Sequence, residues 1–259
     1  MKSARGSRTG IYCSPRMKVM AIIPAAGLGT RMTAAAAAHG KKPFVSKQFA
    51  GLQGMPILAR TLSKFVRSRE VQQIYVALRK NEMAAFRERL EREIPEILEK
   101  SPVFLEGGEH RQQSVANALA AVSAADDDVI LVHDAVRPFV TEAMIHDVVE
   151  AVKKYGAAIA GIPAVDTIKQ VERTAEGALI KTTIPREKVV MAQTPQGFRY
   201  QVLRRAFEEA QADGFLGTDE ASLVERSGHP VAVVMGSARN IKITTPADLE
   251  LAEFYLQHS

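Results

Sequence analysis

Apolar runs alternate with amphipathic stretches along almost the whole of this chain, and that rhythm narrows its possible folds more than any other feature. VMAII (19–23), QIYVAL (73–78), VILVH (129–133), AAIAGI (157–162) and VAVVM (231–235) are short and nearly all apolar. Such runs are the pattern of strands buried on both faces. Between them, PILARTLSKFVRS, MAAFRERLEREI, RQQSVANALAAV and EAMIHDVVEAVKKY place apolar residues at helical spacing. In the last, Met144, Ile145, Val148, Val149 and Val152 share one stripe; Thr141 is placed to cap the helix and Glu142 to favour its dipole. Alternation of this kind predicts an α/β fold, with a mainly parallel sheet carrying helices on both faces.

One stretch breaks the rhythm. Across VDTIKQVERTAEGALIKTTIPREKVV (165–190), TIKQV and LIKTTI read as two β runs joined by a Glu-Gly turn, with no helix between them. A hairpin arm at about 163–187 is expected. Ile168, Val171, Leu179 and Ile184 then have little of their own to pack on. They would meet another subunit, or the arm would fold back on its own domain. There is no internal repeat, and TAAAAAH (33–39) fits either a loop or a short helix.

Charge excludes some functions. Of the formal net charge of +5, Lys2, Arg5, Arg8 and Arg16 account for all but one, with no acid among residues 1–16. That segment reads as a disordered basic tail, and residues 17–259 as a single, nearly neutral domain without an electrostatic case for nucleic acid. VMAII is too short for the core of a signal peptide, and no apolar run approaches the roughly 18 residues of a membrane span. Cys13 is the single cysteine, so the body has no disulfide and no thiolate metal site, as expected of a cytoplasmic protein.

The stretch PAAGLGTRM (24–32) comes directly after the first strand. A dinucleotide fingerprint would need a glycine at Met32 and an acid about 20 residues on, yet no Asp or Glu lies between Thr30 and Arg69. A Walker loop would need glycine at Ala35 and Ser or Thr at Lys42. Beyond Thr30 the chain is instead rich in positive charge, with Arg31, Lys41, Lys42 and Lys47 contributing to it. The segment is either a glycine turn whose amides and cations hold phosphate, or a structural turn beside a solvated basic surface. EGGEHRQQSV (106–115) is a second candidate ligand loop, or a plain strand–helix turn. VHDAVRPF (132–139) puts Asp134 at a strand's end, where it could hold Mg²⁺ or serve as a cap or ion-pair partner. AQTPQGF and GTDEAS read as polar turns opening helices. Lys242 falls mid-strand among apolar neighbours, which suggests that it faces a cleft.

Together PAAGLGTRM, SKQF, GGEHRQQSV, HDAVRPF, VDTIK, TPQGF, TDEAS, NIKIT and DLELAEFYL resemble the 2-C-methyl-D-erythritol 4-phosphate cytidylyltransferases, from about Val19 to Gln257. The resemblance implies a Rossmann-like three-layer sandwich. It also implies transfer of CMP from CTP to 2-C-methyl-D-erythritol 4-phosphate in non-mevalonate isoprenoid biosynthesis, with Mg²⁺ as cofactor. In its terms Ala25, Ala26, Gly27 and Gly29 wrap CTP, with Arg31 and Lys47 on the phosphates. Gly108, Glu109 and Ser114 read the cytosine and ribose region, and Asp134 sits near the metal. Arg137, Thr167, Arg186, Thr194 and Lys242 meet the acceptor, with Thr167 and Arg186 carried on an arm exchanged across a homodimer. Arg31, Lys47, Arg186 and Lys242 are the expected catalytic set. Ser46 stands where Pro is expected, Glu109 for Asp, Val136 for Ala and Arg239 for Asp, and the TAAAAAHGKKPFV segment is longer than usual. A cytidylyltransferase for another polyol phosphate, such as ribitol 5-phosphate, and a catalytically silent nucleotide-binding protein are the alternatives.

Overall fold

A computed structural model describes residues 17–27 and 46–258. The expectations for residues 1–16, Gly29 and Arg31 therefore lie outside the described residues. Seven strands form one sheet: β1 (Val19–Pro24), β4 (Gln73–Leu78), β5 (Val103–Glu106), β6 (Val129–Val132), β7 (Ala157–Pro163), β10 (Val190–Arg199) and β11 (Ala232–Met235), in the order β11-β7-β10-β6-β1-β4-β5. All run parallel except β10, which is antiparallel to both its neighbours. The small pair β2 (Gly51–Leu52) and β3 (Met55–Pro56) lies apart from this sheet.

Successive strand side chains point to opposite faces, so the near-continuous apolar runs serve two cores. Val19, Ala21 and Ile23 of β1 pack with α1 (Ile57–Arg67), α2 (Lys80–Glu93) and α4 (Glu142–Tyr155). Met20 and Ile22 pack instead with α3 (Arg111–Ala121), α5 (Tyr200–Ala212) and α6 (Glu220–Arg226). The closing helix α7 (Pro246–Gln257) seats Ala252 in a third cluster with Val136 and Ile243. Thr141 caps α4 as expected, its hydroxyl accepting from Met144 N–H at 3.2 Å. Among the described residues no helix is long and apolar enough to cross a membrane.

Two readings are corrected. AQTPQGF does not open a helix; it lies within β10, between β6 and β7, with a register shift between Ala192 and Gln196. The buried Gln193 and Gln196 are tolerated because their amides are bonded to Ser237 O at 2.8 Å and to Asp219 Oδ2 at 2.7 Å. Lys242, for its part, lies on an irregular segment between β11 and α7 rather than within a strand.

The arm forms as expected. β8 (Ile168–Thr174) and β9 (Gly177–Ile184) pair antiparallel in a sheet of their own. It does not fold back: Leu179 is 68% exposed and Ile180 65%, and only Ile168 and Ile184 at its base are partly covered.

Candidate active site

Strand β1 sits where the chain order reverses, with β4 and β5 added on one side and β6 on the other. Open α/β sheets bind ligands in the crevice beyond the carboxyl ends of such strands, and three loops meet there. The first, Ala25–Gly27, is tied down through its backbone. Ala25 N–H donates to Ala77 O at 2.7 Å, while Ala25 O accepts from Gln48 Nε2 at 2.6 Å and Ala26 O from Arg79 Nε at 3.0 Å. The second, Gly107–His110, leads from β5 into α3. The buried Ser114 hydroxyl, at the pocket wall, accepts from Gly108 N–H at 3.0 Å and so shapes that loop. A Cβ at Gly107 would lie 2.5 Å from Ala26 Cβ and 2.9 Å from Ser114 Oγ, so the two loops touch at a point where only glycine fits.

The third loop extends from β6. Its first residue, His133, is fully buried and packs on Phe65 at 4.9 Å between ring centroids. Arg137 O can only accept, so the ring donates from Nε2 at 3.0 Å. Thr194 Oγ1 accepts from Asp134 N–H at 3.0 Å and donates to Nδ1 at 3.1 Å. That relay needs the neutral ring, and burial pushes the His133 pKa down to about 4, with Arg137 and Arg111 adding to the effect.

Asp134 faces three cations: Lys242 Nζ at 2.8 Å and Arg137 Nε at 3.5 Å on one oxygen, and Arg111 Nε at 3.0 Å on the other. Burial would raise its pKa, but the attraction of Arg111, Lys242 and Arg137 outweighs it and holds the carboxyl far below the usual range. Arg111 in turn gives Nη1 to both oxygens of Glu220, at 2.7 and 2.8 Å. Glu220 is only 1% exposed. Burial pushes its carboxyl up, and Arg111 holds against that. Behind them the Asn240 side-chain amide, Nδ2, donates to Thr194 O at 2.9 Å, while the Asn240 backbone carbonyl accepts from Arg137 Nη1 at 2.7 Å.

Most of the expected residues converge. Ala25, Ala26, Gly27, Lys47, Gly108, Glu109, Ser114, Asp134 and Lys242 line one pocket. An adjoining depression shares Arg111, Asp134 and Lys242 and adds Arg137 and Thr194. Thr167 and Arg186 lie elsewhere, exposed at the base of the arm, where Arg186 Nη1 donates to Val165 O at 3.0 Å. Arg239 turns from the pocket, its guanidinium 4.9 Å from the Tyr255 ring centroid.

These residues do not fit a protein-held Mg²⁺. Mg²⁺ needs only one or two carboxylates beside substrate phosphates, but Asp134 is already engaged by three positive groups that would repel a further cation, and among the described residues no three Asp, Glu, His or Cys side chains cluster. Glu220 and Asn240 are site residues that the sequence reading missed. Glu220 looks like an ordinary acid in a helix's first turn, and nothing in the sequence signals its burial. Arg111 was visible on its helix, but its partners were not.

A glycine-turn pocket at the sheet's switch point, walled by cations and, among the described residues, without a nucleophile–base pair, has the features of an α/β nucleotidyltransferase. A model of the family described as IspD, 2-C-methyl-D-erythritol 4-phosphate cytidylyltransferase, matches residues 19–258, and the chain belongs to that family. The enzyme of that name from Acidobacterium capsulatum is 57% identical over 242 residues, covering 93% of this chain and 98% of the relative. That from Solibacter usitatus is 49% identical over 241 residues, covering 93% and 96%. The crystal structure of the Thermus thermophilus enzyme superposes with a TM-score of 0.70 at 36% identity, covering 93% of this chain and all of the other. The Francisella tularensis enzyme gives 0.74 at 34%, covering 92% and 99%.

Proposed function

We propose that the pocket transfers CMP from CTP to 2-C-methyl-D-erythritol 4-phosphate, giving 4-diphosphocytidyl-2-C-methyl-D-erythritol and pyrophosphate. The convergence of Lys47 and Lys242 with both glycine loops on one crevice carries this reading. A phosphate oxygen of the acceptor attacks the α-phosphorus of CTP in line. It is already ionised at neutral pH, so no general base is needed. The chain's contribution is placement and the neutralisation of growing negative charge. Ala25, Ala26, Gly27 and Gly29 admit the triphosphate to the backbone amides, with Arg31 and Lys47 on its charge. Gly108 and Glu109 meet the cytidine, on a loop whose shape Ser114 fixes. Lys242, released from Asp134 toward the phosphates, bridges nucleotide and acceptor, and Arg137 and Thr194 hold the acceptor side.

Thr167 and Arg186 reach the acceptor only from a second copy of the chain, whose arm would cover apolar surface left bare here, such as Leu179 and Ile180. A homodimer is therefore part of the proposal. Mg²⁺ enters as company of CTP rather than as an ion held by the protein. The body's lack of cysteine agrees with a cytoplasmic setting. Pyrophosphate release from CTP and Mg²⁺, measured across methylerythritol phosphate, ribitol 5-phosphate and erythritol 4-phosphate, tests the reading. Turnover should be highest with the first, and a preference for ribitol 5-phosphate would overturn the assignment.

A further inference from the structure

We propose that Ser46 and Glu82 are positioning residues for Lys47, a latch between the phosphate-binding turn and helix α2. The proposal rests on the reading of Lys47 as a residue that meets the triphosphate. Lys47 opens a three-residue 3₁₀ turn, Lys47–Phe49. So short a turn cannot fix its own direction; its neighbours do. Ser46 and Gln48 are each only 2% exposed, while Lys47 between them lines the pocket. Gln48 Nε2 is bonded to Ala25 O, which ties the turn to the nucleotide loop. Ser46 Oγ donates to Glu82 Oε1 at 2.6 Å, and the Phe49 ring packs on Phe86 of the same helix at 5.3 Å.

The Ser46–Glu82 bond lies in the short range of a hydroxyl donating to a carboxylate. The other oxygen, Glu82 Oε2, is buried and has no hydrogen-bond partner among the described residues. Through Oε1, Glu82 supplies one directed contact to the residue that precedes Lys47. Ser46 also stands where proline is expected from the resemblance. Its φ of −161° is closed to proline, whose ring holds φ near −65°. This chain therefore enters the Lys47 turn by a path that a proline could not impose, and the side-chain bond to Glu82 fixes what a ring would otherwise fix.

A misplacement of about 1 Å at a charge-stabilising group can cost on the order of 100-fold in rate. The test measures kcat and KM for CTP in Lys47→Ala, Ser46→Ala, Glu82→Ala and the Ser46→Ala/Glu82→Ala pair, with Tm for each. Ser46→Ala and Glu82→Ala should each lower kcat by about 10- to 100-fold, with a far smaller change in KM. The pair should be no worse than either single change, and Ser46→Thr, which keeps the hydroxyl, should restore most of the rate. Adding Ser46→Ala to Lys47→Ala should cost nothing more. If Lys47→Ala is impaired while both single latch variants turn over normally, the latch is refuted and the role of Lys47 stands. If Ser46→Ala costs as much without Lys47 as with it, the effect is general and the proposal falls. If Lys47→Ala itself turns over normally, the reading of Lys47 fails and the latch with it.

Discussion

The buried ring of His133 makes a quantitative prediction about acid. Protonating it would place a proton on Nδ1 against the Thr194 hydroxyl, with Nε2 already donating to Arg137 O, and would add a charge beside Arg137 and Arg111. Its pKa is lowered in the fold, from 6.5 to about 4. The unfolded chain therefore binds the extra proton first. The neutral ring's contribution is complete above the unfolded pKa and is lost as pH falls from about 6.5 toward 4. Across that whole window the loss amounts to about 3 kcal/mol, of which about 2 kcal/mol falls between pH 7.5 and 5. Urea unfolding of the wild type and of His133→Gln at those two pH values isolates it. Glutamine cannot titrate, and its amide can still donate to Arg137 O. Other groups shift in both chains alike; exposed His146, raised by its bond to Glu70, gains rather than loses stability on protonation. The advantage of the wild type should shrink by about 2 kcal/mol at pH 5 with the urea m-value unchanged. Equal slopes of stability against pH in the two proteins would refute the neutral-ring account.

Three further outcomes are expected of the site. Glu220→Ala should destabilise the fold toward the lower end of about 3–5 kcal/mol, since Arg111 keeps Asp134 as a partner; urea midpoints measure this, and a loss under about 1 kcal/mol would deny the buried pair its role. Gly107→Ala should force the two nucleotide loops apart at a cost of about 1–3 kcal/mol, weakening CTP roughly 10- to 100-fold by calorimetric titration; unchanged affinity would mean the loops can part freely. Mixed dimers of Lys47→Ala and Arg186→Ala chains should regain activity, because one of the two sites inherits both intact residues. No recovery in a confirmed mixed dimer would rule out arm exchange.

Some of this was legible in the chain and some was not. VMAII, QIYVAL and VILVH announce themselves because strands covered on both faces must be apolar throughout. Val103–Glu106 does not, because an edge strand of four residues, none of them fully buried, leaves no run to see. Val190–Arg199 was hidden by its own chemistry. Gln193, Thr194 and Gln196 read as turn residues, and only partners such as Ser237, Asn240 and Asp219 make them acceptable inside a sheet. In the site, the glycines, Lys47 and Lys242 could be picked out only through the resemblance, since their spacing alone fits a structural turn as well as a phosphate loop. The charge balance around Asp134 could not, because Arg111, Glu220 and Lys242 come from three separate parts of the chain.

The position of β1 also shapes how this protein is made. Val19 pairs with Val129, and Lys18 N–H is bonded to Asp128, 110 residues further on. This interior strand, the earliest of the seven in chain order, thus leaves the ribosome well before β6 and must wait for it to cover its second edge. At about 5–20 residues per second, VMAII spends roughly 5–20 s as an open apolar template. Slowing translation before residue 129 should lengthen that exposure and raise aggregation of the nascent chain, with no change in the stability of the finished protein.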